Sequence, residues 1–458
     1  MTIAVLNPTT GEVEREFAPH SPQEVQARIA AAAEAFEVVR RMSFARRAEL
    51  MTACADLLEG EVKQVAEMMT REMGKPITAA RSEALKCVKA MRFYAERAEE
   101  FLADEALADP SVVGASSAVA RYQPLGVVLA VMPWNYPLWQ VIRFAAPALM
   151  AGNVGLLKHA SNVPESALYL DELFRRGGFP TGAFSTLLIG SGEVAAVIED
   201  PRVRAVTLTG SEPAGRAVAA CAAAQVKKSV LELGGSDPFV VMPSADLEAA
   251  VATAVTARTL NNGQSCIAAK RFIVHEDVYD RFVPAFTAAM GALRVGDPLQ
   301  EDTEVGPVAT RSGRDELAEL VDDAVAHGAQ VLTGGVVPER AGWFYLPTVL
   351  AGIGPAMRLH LEEAFGPVAT VYRVADAEEA LELANGTDFG LSSAVWTREP
   401  DEVALFTEHL EAGAVFVNGM TVSFPELPFG GIKNSGFGRE LGAAGIREFC
   451  NLKTVWQG

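Results

Sequence analysis

Cysteine is scarce in this chain: Cys54, Cys87, Cys221, Cys266 and Cys450 lie far apart and never form a CxxC pair. That odd, scattered set argues against a disulfide framework and against a zinc site, and a reducing cytoplasm is the expected location. Basic residues are also short, 39 Lys and Arg against 58 Asp and Glu, for a formal net charge of -19. Nucleic acid and anionic membranes need clustered cations to neutralise phosphates, so neither is expected as a partner. The six histidines fall without ligand spacing, so no metal is expected. No basic-then-apolar run opens the sequence, and no signal peptide is expected. The longest uncharged stretch, Tyr122 to Ile142, carries Pro124, Pro133, Asn135 and Pro137. A lipid-facing helix tolerates these poorly, which leaves buried core as the reading. Fixed-period repeats and low-complexity tracts are absent as well.

What is present is length, and order within it. A chain of 458 residues, half of them hydrophobic, exceeds a single core and predicts two or three domains. Ser21-Pro22-Gln23-Glu24 combines an N-cap, a first-turn proline and a capping-box glutamate ahead of the apolar stripe Val25, Ile29, Ala32, Phe36 and Val39. The N-terminal part therefore reads as helical to about Leu102. From Gly126 short apolar runs (GVVLAVM, NVGLLK, FSTLLI, RAVTL, KKSVLEL) alternate with helical stretches, the pattern of a parallel sheet with crossover helices. A second series, PFVVM, KRFIVH, VATVYRV, SSAVW and GAVFVN, follows Gly234-Gly235 and predicts a second α/β domain.

Five short segments carry candidate chemistry. Cys266 sits in the polar turn NNGQSC between a helix and a strand, accessible to a substrate. An isolated cysteine is more often a small buried hydrophobe, but this setting favours a nucleophile. Glu232 ends the run SVLEL before two glycines, at the sheet edge where open α/β folds bind ligands; it is a candidate general base or simply a satisfied strand-end acid. Asn135, in PWNYP, offers an uncharged N–H donor suited to an oxyanion hole, or is a turn asparagine. Gly210 and Ser211 join a strand to a helix and would meet a pyrophosphate, although GxGxxG spacing is missing. Lys158 ends NVGLLK, where it would hold ribose or phosphate oxygens or else be solvated.

In chain order the segments PWNYP, LKHAS, LTGSEPAG, LELGGSDP, NNGQSC, EEAFGPV, VFVNG and PFGGIKNSGFGRE closely resemble the aldehyde dehydrogenase superfamily, over nearly the whole chain. The resemblance implies an α/β fold with a Rossmann-type dinucleotide-binding domain, an α/β catalytic domain and a small β element for oligomerisation. It implies residues 1-103 and 124-233 for the first, 234-440 for the second, and 104-123 with 441-458 for the bridging element. It further implies Cys266 as nucleophile, Asn135 with the Cys266 N–H as oxyanion hole, and Glu232 as general base. Pro133, Trp134, Lys158, Ser161, Gly210, Ser211, Leu233, Glu363 and Phe365 are implied as cofactor contacts, and Asn418 resembles a family position near the site.

Ser161 stands where NAD-preferring members often carry Glu. Without that carboxylate a 2'-phosphate is not repelled, so NADP is the expected cofactor, with NAD the alternative; His159 replaces a more usual proline. The SGFGREL ending and KHAS segment look most like the succinate-semialdehyde dehydrogenase branch. Arg143 matches the arginine that faces a substrate carboxylate there, with Trp139 and Ser423 as further contacts, or else forms a structural ion pair. Phe424 and Glu426 replace residues that close relatives often carry as Asp and Arg, which keeps a neutral aliphatic or aromatic aldehyde as the alternative. A thiol acyltransferase or hydrolase without redox chemistry is the alternative of another class. A homodimer or homotetramer is expected from the resemblance.

Overall fold

Four helices fill most of the first hundred positions of the computed structural model, which describes residues 2–458: Pro22–Val39, Phe44–Gly60, Val62–Met73 and α1, Ile77–Phe101. The capping box forms as the sequence predicts, with the Ser21 hydroxyl accepting from Glu24 N and the Glu24 carboxylate accepting from Ser21 N. A hairpin of Ile3–Leu6 and Val13–Phe17 precedes them. The sequence reading missed it because only Ile3 and Val5 are buried, too few for a visible alternation.

The first sheet is built by β1 (Val127–Met132), α2 (Trp139–Ala151), β2 (Val154–His159), β3 (Phe184–Thr186), β4 (Val203–Thr209), α3 (Glu212–Ala224) and β5 (Lys228–Glu232). Its parallel strands lie in the order β5-β4-β1-β2-β3. The chain runs outward from β1 in one direction and then returns through β4 in the other. The carboxyl ends of β1 and β4 therefore flank a topological switch point, where such sheets open a ligand crevice.

The second sheet uses β6 (Pro238–Val241), α4 (Leu247–Thr259), β7 (Arg271–His275), β8 (Gln330–Thr333), β9 (Thr348–Ala351), β10 (Val368–Val374), β11 (Ser393–Trp396) and β12 (Val415–Val417), in the order β8-β9-β10-β7-β6-β11-β12. Phe239, Phe272 and Trp396 pack on one face while Val240, Ile273 and Val395 pack on the other. Burial on both faces explains why these strands read as unbroken apolar runs.

Gly436–Phe437 pairs antiparallel with β5, and Phe429, Leu441, Ile446 and Phe449 join the first core. The segment expected at the end of the second domain thus closes the first sheet. Gly436 permits this approach, because a Cβ there would lie 2.0 Å from the Leu231 carbonyl oxygen. In a third sheet, Cys450–Gln457 pairs along its whole length with Ser117–Pro124, which also pairs with Glu105–Ala106. No helix among the described residues is long and apolar enough to cross a membrane.

Candidate active site

Cys266 is delivered by a turn that only a special backbone permits. After α4, Asn261 and Asn262 both take φ of 59° and Gly263 takes 72°, three left-handed residues in succession. Asparagine tolerates that region because its side chain bonds locally, and glycine because it has no Cβ. Asn262 Nδ2 donates to the carbonyls of Gly74 (2.8 Å) and Pro307 (2.9 Å), and Asn261 Nδ2 donates to Asn135 O at 2.7 Å. A Cβ on Gly263 would stand 2.4 Å from Gly366 O, so the turn is wedged from outside as well. Lys270 fixes the downstream side, donating to Ser265 O (3.0 Å) and Cys266 O (2.6 Å) while its ammonium pairs with Glu363 at 2.8 Å.

Asn135 follows β1, and its amide is oriented from both ends. Gln140 Nε2 donates to its Oδ1 at 2.9 Å, so Nδ2 is turned toward the cysteine loop, where it donates to Gln264 O at 3.1 Å. One N–H of that amide remains for a ligand. His159 steadies the same loop from β2: its Nε2 lies 2.8 Å from Pro137 O while Nδ1 accepts from Ala160 N at 3.0 Å. Burial pushes the imidazole pKa down to about 4, so the ring is neutral with its proton on Nε2.

Two cavities meet at Cys266. The first, about 700 Å³, is walled by Pro133, Trp134, Asn135, Gly210, Ser211, Leu233, Glu363 and Phe365. The second, about 570 Å³, is walled by Lys86, Tyr136, Trp139, Arg143, Ser423 and Phe429 among others. Among the described residues, only Cys266 and Gln140 belong to both walls.

The first cavity fits a dinucleotide. The first turn of α3 borders it and Ser211 makes no side-chain cap, so backbone N–H groups there are free for a pyrophosphate. Gly215 lets that helix close on the sheet, since a Cβ would meet Leu233 at 2.5 Å. Trp134 and Phe365 stand edge to face with centroids 5.7 Å apart, an apolar wall for a flat ring.

The Aldehyde dehydrogenase family model matches residues 1–455 of this sequence. The chain belongs to the aldehyde dehydrogenase family. A protein of Mycobacterium tuberculosis named succinate-semialdehyde dehydrogenase (NADP(+)) 1 is 62% identical over 456 residues, covering 100% of both chains. The Mycobacterium leprae succinate-semialdehyde dehydrogenase (NADP(+)) is 60% identical over 456 residues, again with 100% of both covered. A structure described as giving insights into cofactor and substrate selection by Gox0499 superposes with a TM-score of 0.98 at 42% identity, covering 100% of each chain. The succinic semialdehyde dehydrogenase of Streptococcus pyogenes, in complex with NADP+, superposes with 0.96 at 34% identity and 99% of each chain.

Within this aldehyde dehydrogenase, several residues singled out from the sequence stand away from the cavities. The backbone next to Glu232 borders the first cavity through Leu233 and Gly234, but its carboxyl belongs to neither wall. It packs instead toward Gly430, where a Cβ would come within 2.7 Å of Oε1. Burial and the neighbouring Glu440 carboxylate raise its pKa well above the usual range, with Arg143 and Arg439 opposing. Convergence of sulfur, amide and carboxylate, the sequence-based expectation, is therefore met by Cys266 and Asn135 only. Lys158 and Ser161 lie at and just after the end of β2, outside both walls. Asn418 is occupied elsewhere, exchanging hydrogen bonds with the backbone of Thr397.

Burial also pushes the Cys266 thiol up to about 12, against the opposing fields of Arg143 and Lys270, so the resting sulfur is protonated. Arg143 is buried and paired with Glu440, and its Nη2 donates to Thr209 Oγ1 at 3.2 Å. Sequence reasoning missed Gln140, Lys270, Glu440 and Lys86. Gln140 had a signal, being a lone amide in the apolar run LWQVIRF, one helical turn from Arg143. Lys86 had none, being one of many charged residues on α1.

Proposed function

We propose that this enzyme oxidises succinate semialdehyde to succinate with NADP+, through a thioester on Cys266. The observation that carries the reading is the position of the sulfur at the junction of two cavities, one fitted to a dinucleotide and one whose wall brings Lys86, Arg143 and Ser423 together among both acidic and basic residues. Relatives named for this substrate and for NADP(+) across the full chain support it.

When bound, the dinucleotide supplies the hydride acceptor. Cys266 Sγ, its proton passed to solvent water, forms a bond to the aldehyde carbon, and the carbonyl oxygen becomes an oxyanion held by Asn135 Nδ2 and the Cys266 N–H. Collapse of that oxyanion expels hydride and leaves the thioester. Water then adds to the thioester, its proton passes to Glu232, and the carbon–sulfur bond breaks to give the acid and free cysteine. For this last role the Glu232 side chain swings from Gly430 toward the sulfur. Leaving Glu440 would also lower its pKa, turning a proton holder into a base.

Lys158 and Ser161 are assigned to the adenosine end of the cofactor, where a neutral serine does not repel a 2'-phosphate. Pro133, Trp134, Gly210, Ser211, Leu233, Glu363 and Phe365 are assigned to the remaining cofactor contacts, and Trp139, Arg143 and Ser423 to the substrate. Assembly into a homodimer or homotetramer belongs to the same proposal. Steady-state kinetics with succinate semialdehyde and butanal, each with NADP+ and NAD+, test the reading. The expected result is the highest kcat/KM for the semialdehyde with NADP+; no reduced cofactor, or a preference for butanal, would overturn it.

A further inference from the structure

The second cavity contains a cation that forms no ion pair among the described residues. Arg143 reaches the wall, but Glu440 already pairs with it and its guanidinium lies 4.7 Å from the Phe429 ring centroid. Lys75 is paired with Glu83, Lys89 with Glu426, and Arg294 with Glu304. Glu301 and Asp302 line the same cavity, and Glu301 is likewise paired with Arg81. Lys86, on the face of α1 that borders the cavity, has a different environment. Its ammonium donates to Ser423 Oγ at 2.7 Å and stands 4.1 Å from the Trp139 ring centroid. Neither neighbour carries a negative charge.

Ser423 completes the arrangement. Its oxygen accepts from Lys86 Nζ and also from Trp139 Nε1 at 3.0 Å, which uses both of its lone pairs. The hydroxyl proton is left to donate, and Ser423 lines the cavity. A serine held as acceptor by a cation and an indole, with its own proton free, is arranged to donate to an anion. Burial, reinforced by the field of Arg143, lowers the Lys86 pKa to about 8, so an arriving carboxylate would stabilise its charged form.

We propose that Lys86 is the counter-ion for the distal carboxylate of the substrate, with Ser423 donating a hydrogen bond to the same group. This rests on the acidic-aldehyde reading above and assigns the recognition to a residue of α1. Arg143, whose charge Glu440 already offsets, remains a further contact on the same substrate wall.

The test uses the full-length enzyme with NADP+, comparing succinate semialdehyde with butanal, which has the same carbon count without the carboxylate. Losing one charge-assisted bond predicts that Lys86→Met lowers kcat/KM for the semialdehyde about 10- to 100-fold, mainly through KM. Butanal turnover should change little, which also reports that the variant is folded, and Lys86→Arg should recover much of the loss. Equal losses for both aldehydes, or an unchanged semialdehyde preference in Lys86→Met, would overturn the assignment. A wild-type enzyme with no preference for the semialdehyde would overturn the acidic-substrate reading and this proposal with it.

Discussion

The side-chain amide of Asn135 holds one proton on Gln264 O and has its other free, with its orientation fixed by Gln140. If that free N–H meets the oxyanion, Asn135→Ala should lower kcat about 10²- to 10³-fold, as loss of one such donor does elsewhere. Steady-state turnover beside a thermal melt separates this from unfolding. Cys266 carries a pH signature. With its thiol near 12 in the cofactor-free protein, the thiolate fraction is minute at neutrality and rises tenfold per pH unit up to that value. Alkylation by iodoacetamide, followed at the Cys266 peptide by mass spectrometry, should therefore accelerate about 100-fold between pH 7 and pH 9. A plateau below pH 9 would contradict the burial that raises it. Glu232→Gln tests the third role: one equivalent of NADPH should form quickly, with turnover afterwards slowed about 10²-fold or more because water lacks its base. The residue types and their spacing made Cys266, Asn135 and Glu232 legible in the sequence. The direction of the Glu232 carboxyl was not, because Gly430 and Glu440, which decide it, lie about two hundred positions away.

Helix α2, which follows the Asn135 loop, makes no side-chain cap of its own. Its first N–H groups are satisfied by α1 instead: Glu83 Oε1 accepts from Leu138 N and Trp139 N, both at 2.9 Å. The negative charge at a helix N-terminus is favourable, and Lys75, buried against the Tyr136 ring, balances it. Removing one member of a buried pair leaves the other uncompensated, so Lys75→Met should cost about 3 to 5 kcal/mol in chemical denaturation. Activity should fall as well, since the same contacts set the PWNYP loop. The alternation of apolar runs and helices revealed both α/β series because strands buried on two faces give unbroken hydrophobic stretches. Strands β8 and β9 and the N-terminal hairpin gave no such signal: β8, for example, is exposed at three of its four residues.

At the scale of the molecule, the third sheet ends on an open edge. Cys450–Gln457 is the outer strand, and Leu452 and Trp456 are 56% and 52% exposed. A long apolar edge invites pairing with another chain unless something covers it, which supports a second copy as its occupant. Trp456→Glu with Leu452→Glu should shift the sedimentation profile toward the monomer; an unchanged profile would place the interface elsewhere. The strand itself is held by eight residue pairs with Ser117–Pro124, at a separation of more than three hundred positions. The sequence by itself determined the chemistry available, since a polar turn bearing Cys266, a rigid loop bearing Asn135 and a glycine-flanked acid are local patterns. The order of its motifs carried the resemblance to the family, and hydrophobic periodicity, a local property, carried the two α/β series. Only the tertiary structure decided which charges are spent and which are free. Ion pairing depends on distances between residues remote in the chain, so Arg143 paired with Glu440, and Lys86 bonded to Ser423 with no ion pair among the described residues, became visible only when the elements packed.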